Sequence, residues 1–153
     1  MKIRCVNNTG KNMPKSFFAQ HGWTKEMVFV ELTVGKEYTV YASFTLFNQQ
    51  CFLICDDFYD GVYYAHPMFY PACLFDVIDD TPSKYWIRRR IKHNNEDDMD
   101  DVGFPDILNG EFFYGGVVEG YQREVNVFQK WKKLIDEENI VLSSFCPSGY
   151  VDE

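Results

Sequence analysis

Residues 51–79 read CFLICDDFYDGVYYAHPMFYPACLFDVID. Three short apolar runs, Cys51 to Asp57, Val62 to Ala65 and Leu74 to Ile78, are separated by turn residues, and strands this short need hydrogen-bonded neighbours. In the first run Cys51, Leu53 and Cys55 face one way while Phe52 and Ile54 face the other, so both faces are apolar and both require cover. Phe58-Tyr59-Asp60-Gly61 has the composition of a hairpin connection, with Gly61 free to take positive φ. His66-Pro67 is predicted to end the returning strand, and Pro71 to turn the chain into the third run.

Upstream, Lys2 to Val6 reads as an opening strand closed by Asn7-Asn8-Thr9-Gly10, and residues 11–26 as a loop held by Phe17, Phe18 and Trp23. Met27 to Val34 is rich in β-branched residues and predicts a strand with Val28, Val30 and Leu32 on one face. Tyr38, Val40, Ala42, Phe44 and Leu46 alternate with Thr39, Tyr41, Ser43 and Thr45, the pattern of one half-buried strand, followed by a turn at Asn48-Gln49-Gln50. Downstream, Tyr85 to Ile91 is a further candidate strand. Residues 93–103 form a charged stretch with the composition of an acidic loop. Phe104 to Leu108 can start a short helix stopped by Asn109-Gly110. Val118, Tyr121, Val125, Phe128, Trp131, Leu134 and Ile135 recur at helical spacing, predicting a helix over about 117–138, with Ile140 to Phe145 as a final strand.

These elements describe a single domain, 1–153, of mainly β, α+β class. It consists of a β-barrel-like core over 1–92, the acidic loop 93–103 and a helical segment 104–153 packed on the core. The stripe Tyr121, Val125, Phe128 and Trp131 is the predicted cover for Phe52 and Ile54. The net charge is −8 and unevenly divided: residues 1–95 carry eleven Lys/Arg against nine Asp/Glu, and residues 96–153 four against fourteen. That acidity argues against nucleic acid as a general partner and suits a basic protein. The start MKIRCVNNTG lacks the apolar run of a signal peptide and no stretch approaches a membrane span, so the expected location is the cytoplasm. Five cysteines, an odd number, are expected to be reduced and mostly buried.

Candidate sites divide by chemistry. Cys51 and Cys55, four apart on a strand, lie about 13 Å apart, too far to share a zinc ion with Cys73 or His66. Asp98, Asp100 and Gly103 match part of a calcium loop, but Val102 and Asn109 stand where oxygen ligands are required. No metal or cofactor is therefore expected. None of His21, His66 or His93 accompanies a nucleophile motif, and no enzymatic activity is expected. Arg88-Arg89-Arg90-Ile91-Lys92 beside Tyr85 and Trp86 has the chemistry of a nucleic-acid patch, but the acids that follow can neutralise it as an internal charge clasp. Remaining are those acids, Glu96, Asp97, Asp98, Asp100 and Asp101, together with Tyr59, Asp60, Tyr63, Tyr64 and Tyr70. Carboxylates accept contacts from Arg or Lys, and tyrosines contribute contact area at low entropy cost, so these ten form the predicted partner-binding set.

The pattern Leu32-x-x-Gly35-Lys36-x-Tyr38-x-Val40, followed by two strands, a Pro-containing turn and another strand, resembles the small bacterial SH3-like barrels. That resemblance implies a small barrel, or a bent antiparallel sheet, over residues 27–79. No counterpart of the acidic-aromatic loop and paired tryptophans used for proline peptides is present. A compact acidic β-rich chain with an added helix also resembles the immunity proteins that bacteria pair with polymorphic or contact-dependent toxins. What this second resemblance implies is an inhibitor that neutralises a basic, nuclease-type toxin domain by covering its active site. The alternative is a barrel module that binds peptide or nucleic acid through Arg88 to Lys92 and Trp86.

Overall fold

The strand Gln49–Ile54 (β4) buries Cys51, Phe52, Leu53 and Ile54, none more than 2% exposed, which requires packing on both sides of one sheet. A computed structural model describes residues 1–15, 17–18, 22–91 and 99–144, and in it two antiparallel sheets meet that requirement. β1 (Lys2–Cys5), β2 (Glu37–Thr39) and β6 (Phe75–Asp79) form a three-stranded sheet in the order β2-β1-β6. β3 (Ala42–Leu46), β4, β5 (Met68–Pro71), β7 (Ile87–Ile91) and β8 (Met99–Gly103) form a five-stranded sheet ordered β5-β4-β3-β8-β7. Three helices follow: α1 (Pro105–Asn109), α2 (Phe113–Val118) and α3 (Gln122–Ser144). The class is thus mainly β with a C-terminal helix. Of the two expected forms, small SH3-like barrel or antiparallel sheet, the described residues form open antiparallel sheets, whose edge strands do not pair with one another to close a barrel.

Phe52 and Ile54 pack with Ile3, Cys5, Tyr38, Val40 and Phe75 in a core against the small sheet. Leu53 joins Tyr41, Ala42, Phe104, Phe128 and Ile135 in a second core under the helices. The predicted cover therefore lies on the other face of β4: the helix shields Leu53 and leaves Phe52 and Ile54 to β1, β2 and β6. Phe128 is the centre of the helical core, edge-on to Tyr41 at 5.8 Å and tilted against Phe104 at 6.2 Å. Trp86 packs against both cores.

Six predicted elements are corrected. Residues 27–36 are turns, with an isolated bridge from Val28 to Thr9; Phe29 and Leu32 are buried while Val28 and Val30 are 53% and 69% exposed. The long strand over 38–46 is two strands in different sheets, because Val40 and Tyr41 are both buried, one in each core. Phe47 and Asn48, at φ 52° and 59°, then make the tight hairpin turn into β4, one residue earlier than the predicted Asn48-Gln49-Gln50. Residues 62–64 are bends and Ala65 is irregular, so β4 and β5 are joined by a long loop without a returning strand. The helix predicted over 117–138 is α2 and α3, broken where Gly120 takes φ 76°, and α3 runs through the expected final strand to Ser144.

The predicted acidic loop 93–103 is corrected at its C-terminal end, where 99–103 is strand β8, inserted between β3 and β7; residues 93–98 lie outside the described residues. Cys5, Cys51, Cys55 and Cys73 are free thiols, the first two buried and Cys73 exposed; Cys146 lies outside the described residues. Among the described residues no helix is long and apolar enough to cross a membrane, and no group of three His, Cys, Asp or Glu is placed to hold a metal.

Candidate partner-binding site

The loop between β4 and β5 is tied down from beneath by carboxylates. Asp56 is 5% exposed; its Oδ2 accepts the Tyr70 hydroxyl at 2.6 Å and its Oδ1 accepts the Phe58 amide at 3.0 Å. Burial, then the hydrogen bond to Asp56, pushes the Tyr70 hydroxyl far up, so it remains a donor. Asp57 accepts hydrogen bonds from Thr33 Oγ1, Lys36 Nζ and the Tyr38 hydroxyl, fastening the loop to the turn before β2.

At the tip, Asp60 Oδ1 accepts three successive backbone amides, Val62 at 2.7 Å, Tyr63 at 2.8 Å and Tyr64 at 3.1 Å. Those bonds, from Val62, Tyr64 and Tyr63 in order of strength, hold its carboxyl below the usual range. The turn also needs Gly61 at φ 79°. The result is a hydrogen-bonded knuckle that holds Val62 76% exposed and Tyr63 95% exposed. Tyr64 folds back onto His66, with ring centroids 4.3 Å apart. A groove of about 320 Å³ runs beside the knuckle, lined by Val62, His66, Val118, Glu119 and Gln129 among others. Gln129 Nε2 spans it to the Gly61 carbonyl at 3.4 Å, and Val118 is 40% exposed at its edge. Apolar side chains around a single acidic residue suit an amphipathic contact.

The seven predicted residues that lie among the described ones are not brought together. Asp60, Tyr63 and Tyr64 share the knuckle, while Tyr59 turns inward onto Phe128 at 6.2 Å. Tyr70, 2% exposed, is a core residue and offers no surface to a partner. Asp100 and Asp101 lie on β8 opposite Arg90 and Arg89 of β7. Arg88 Nη1 binds Asp100 Oδ2 at 2.8 Å, and Arg90 Nε lies 3.7 Å from Asp100 Oδ1. Arg89 Nη2 binds Asp101 Oδ2 at 3.3 Å and its Nη1 donates to the Leu108 carbonyl at 2.6 Å. Asp101 is 2% exposed and its Oδ1 accepts the Thr45 amide at 3.0 Å, so it is structural and not a contact residue. Arg88 to Arg90 form the internal charge clasp. Glu96, Asp97 and Asp98 lie outside the described residues.

No family model, curated protein or solved structure matches this chain. The site therefore rests on its own geometry. Ile91 and Met99, which flank the rest of the acidic run, pair at the end of the sheet near the β3–β4 turn. The knuckle is at the other end, beyond Ile54 and Met68; Ile54 stands five residues, about 17 Å, along β4 from Gln49. Sequence reasoning missed Val62, Val118 and Glu119. Val118 and Glu119 reach the groove only through the break at Gly120, and the one local signal was the Gly115-Gly116 and Gly120 spacing within an otherwise helical stripe.

Proposed function

We propose that this chain is a non-enzymatic inhibitor of the immunity type, which neutralises a basic protein, a nuclease-type toxin domain, by covering its active site. The observation that carries this reading is Tyr63, 95% exposed on a loop already fixed by Asp60, Asp56 and Asp57. A rigid aromatic on a preorganised loop loses little entropy on docking. The net charge of −8 favours encounter with a basic surface. The barrel-module alternative has weaker support, because the three arginines it needs are engaged by Asp100 and Asp101.

The experiment is co-expression with the product of the gene immediately upstream, which on this reading ends in a toxin-like domain. Protection of the host is expected, with loss of protection in Tyr63→Ala while the thermal unfolding temperature stays unchanged. Reversal of Glu96, Asp97 and Asp98 is expected to slow association and flatten its salt dependence. Full protection by a folded Val62→Ser, Tyr63→Ala double variant rules out this interface, and failure of the wild-type chain to bind any such domain rules out the function.

A further inference from the structure

The groove beside the knuckle has a charge inventory of its own. Glu119 is the single carboxylate around its 320 Å³, and among the described residues no lysine or arginine lines it. His66, the base in its wall, is turned onto Tyr64 with Nδ1 3.2 Å from the Pro67 carbonyl. Four acids elsewhere each hold a donor: Asp57 that of Lys36, Asp101 that of Arg89, Asp106 the Trp131 indole and Asp136 that of Lys132. Glu119 makes no ion pair and no side-chain hydrogen bond among the described residues.

Both walls are fixed before anything binds. On one side Asp60 holds the knuckle and with it the exposed Val62. On the other, the amides of Gly120 and Tyr121 close the end of α2 on the Val117 and Gly116 carbonyls, at 3.1 and 2.9 Å, and leave Glu119 exposed at the break. Val117 and Val125 supply the buried part of the lining. An occupant has to match this apolar passage and one unpaired negative charge together. An uncharged apolar group would desolvate Glu119 without compensation, and an anion would be repelled by it. A methylene stem that ends in a cation satisfies both demands, since such side chains lay their stems on apolar surface and carry the charge at its edge.

We propose that the groove receives the side chain of an arginine or lysine from the basic partner, its stem along Val62 and Val118 and its head on the Glu119 carboxylate. This inference rests on the partner-binding reading and adds to it a point of charge selection that Tyr63 does not supply. The net charge of −8 draws a basic surface in from a distance, and Glu119 gives one of its cations a place.

Titration of ¹⁵N-labelled protein with butylguanidinium, butylammonium, butanol and butyrate tests the groove without any partner. Saturable shifts of the Gly61 and Gly120 amides and of the Gln129 side-chain amide are expected from the two cations, with butanol weaker and butyrate silent. The tighter cation identifies arginine or lysine as the side chain received. Glu119→Gln, which keeps the shape of the side chain, is expected to weaken cation binding about three- to fivefold and to leave butanol unchanged. In co-expression, Glu119→Lys is expected to lose protection. No cation-dependent shift at these amides, an equal response to butanol, or undiminished cation binding by folded Glu119→Gln overturns the proposal. Full protection by a folded Glu119→Lys also overturns it and leaves the partner-binding reading standing. Cation-selective shifts in a chain that does not bind the upstream product do the reverse, upholding the cation site and removing the partner reading.

Discussion

Phe52 and Leu53 are adjacent on β4 and buried in different cores, Phe52 against the three-stranded sheet and Leu53 under the helices. The pleat of one strand thereby couples both layers. Phe52→Ala is expected to cost about 3–5 kcal/mol and Leu53→Ala about 2–5 kcal/mol, as for other large-to-small core changes. Urea unfolding followed by tryptophan fluorescence and by far-ultraviolet circular dichroism is expected to give one coincident transition for either variant. Separate transitions for the two probes indicate that the cores fold independently.

Asp101→Ala tests the charge clasp. It removes a buried carboxylate from the Thr45 amide and from Arg89, whose side chain is 48% exposed. Arg89 can turn toward water, so the loss falls below that of breaking a fully buried pair, at about 1–3 kcal/mol. Asp100, with more exposed arginine partners, is expected to lose less on the same change. Equal stability of Asp101→Ala and wild type in chemical denaturation contradicts this account.

Asp57 and Asp60 predict acid sensitivity in the candidate interface. Partial burial works to raise the Asp57 carboxyl, but bonds from Lys36, Thr33 and Tyr38 together outweigh it and leave the carboxyl lowered. A carboxyl lowered in the folded state contributes stability that is present above its unfolded value, about 3.9, and lost as pH falls through the folded value. Asp57→Asn is therefore expected to flatten the stability profile in that acid window and leave its shape above it unchanged. For Asp60 the readout is local: Asp60→Ala is expected to speed hydrogen exchange at the Val62, Tyr63 and Tyr64 amides, its three donors. Unaltered protection of those amides shows that the knuckle is held by something else.

The two-faced run at Cys51 was legible because five consecutive apolar residues, Cys51 to Cys55, admit no solvent face. Which layer covered which face was not, since a period of two gives alternation and not the identity of the neighbour. The alternation at 38–46 concealed a crossing between sheets for the same reason: Val40 and Tyr41 are both buried by different cores. β8 was hidden by its charge. Asp100 and Asp101 belong in a strand only because Arg90 and Arg89 stand opposite them, a pairing fixed by register and invisible to composition. At the candidate site, Asp60 with Gly61 marked the turn, and Tyr63 and Tyr64 followed. Tyr70 lies one strand away and was indistinguishable by type from the exposed tyrosines; its burial is set by Asp56 and Phe29.

Gly103 supplies the last prediction, on how closely β8 must approach its neighbours. It pairs with Ala42 on one side and Ile87 on the other, and the short helix α1 begins two residues later. A Cβ built at Gly103 falls 2.8 Å from Ala42 Cβ and 2.9 Å from Ile107 Cγ2, both inside contact distance. Because Ala42 is already the smallest chiral side chain, relief requires a shift of β3 or of α1. Gly103→Ala is expected to destabilise by about 1–3 kcal/mol through overpacking. The double variant Gly103→Ala, Ala42→Gly is expected to recover part of that loss, despite the added backbone entropy of a glycine in β3. Stability of Gly103→Ala equal to wild type by urea denaturation indicates that β3 and α1 can separate freely here, and that the five-stranded sheet does not depend on this contact.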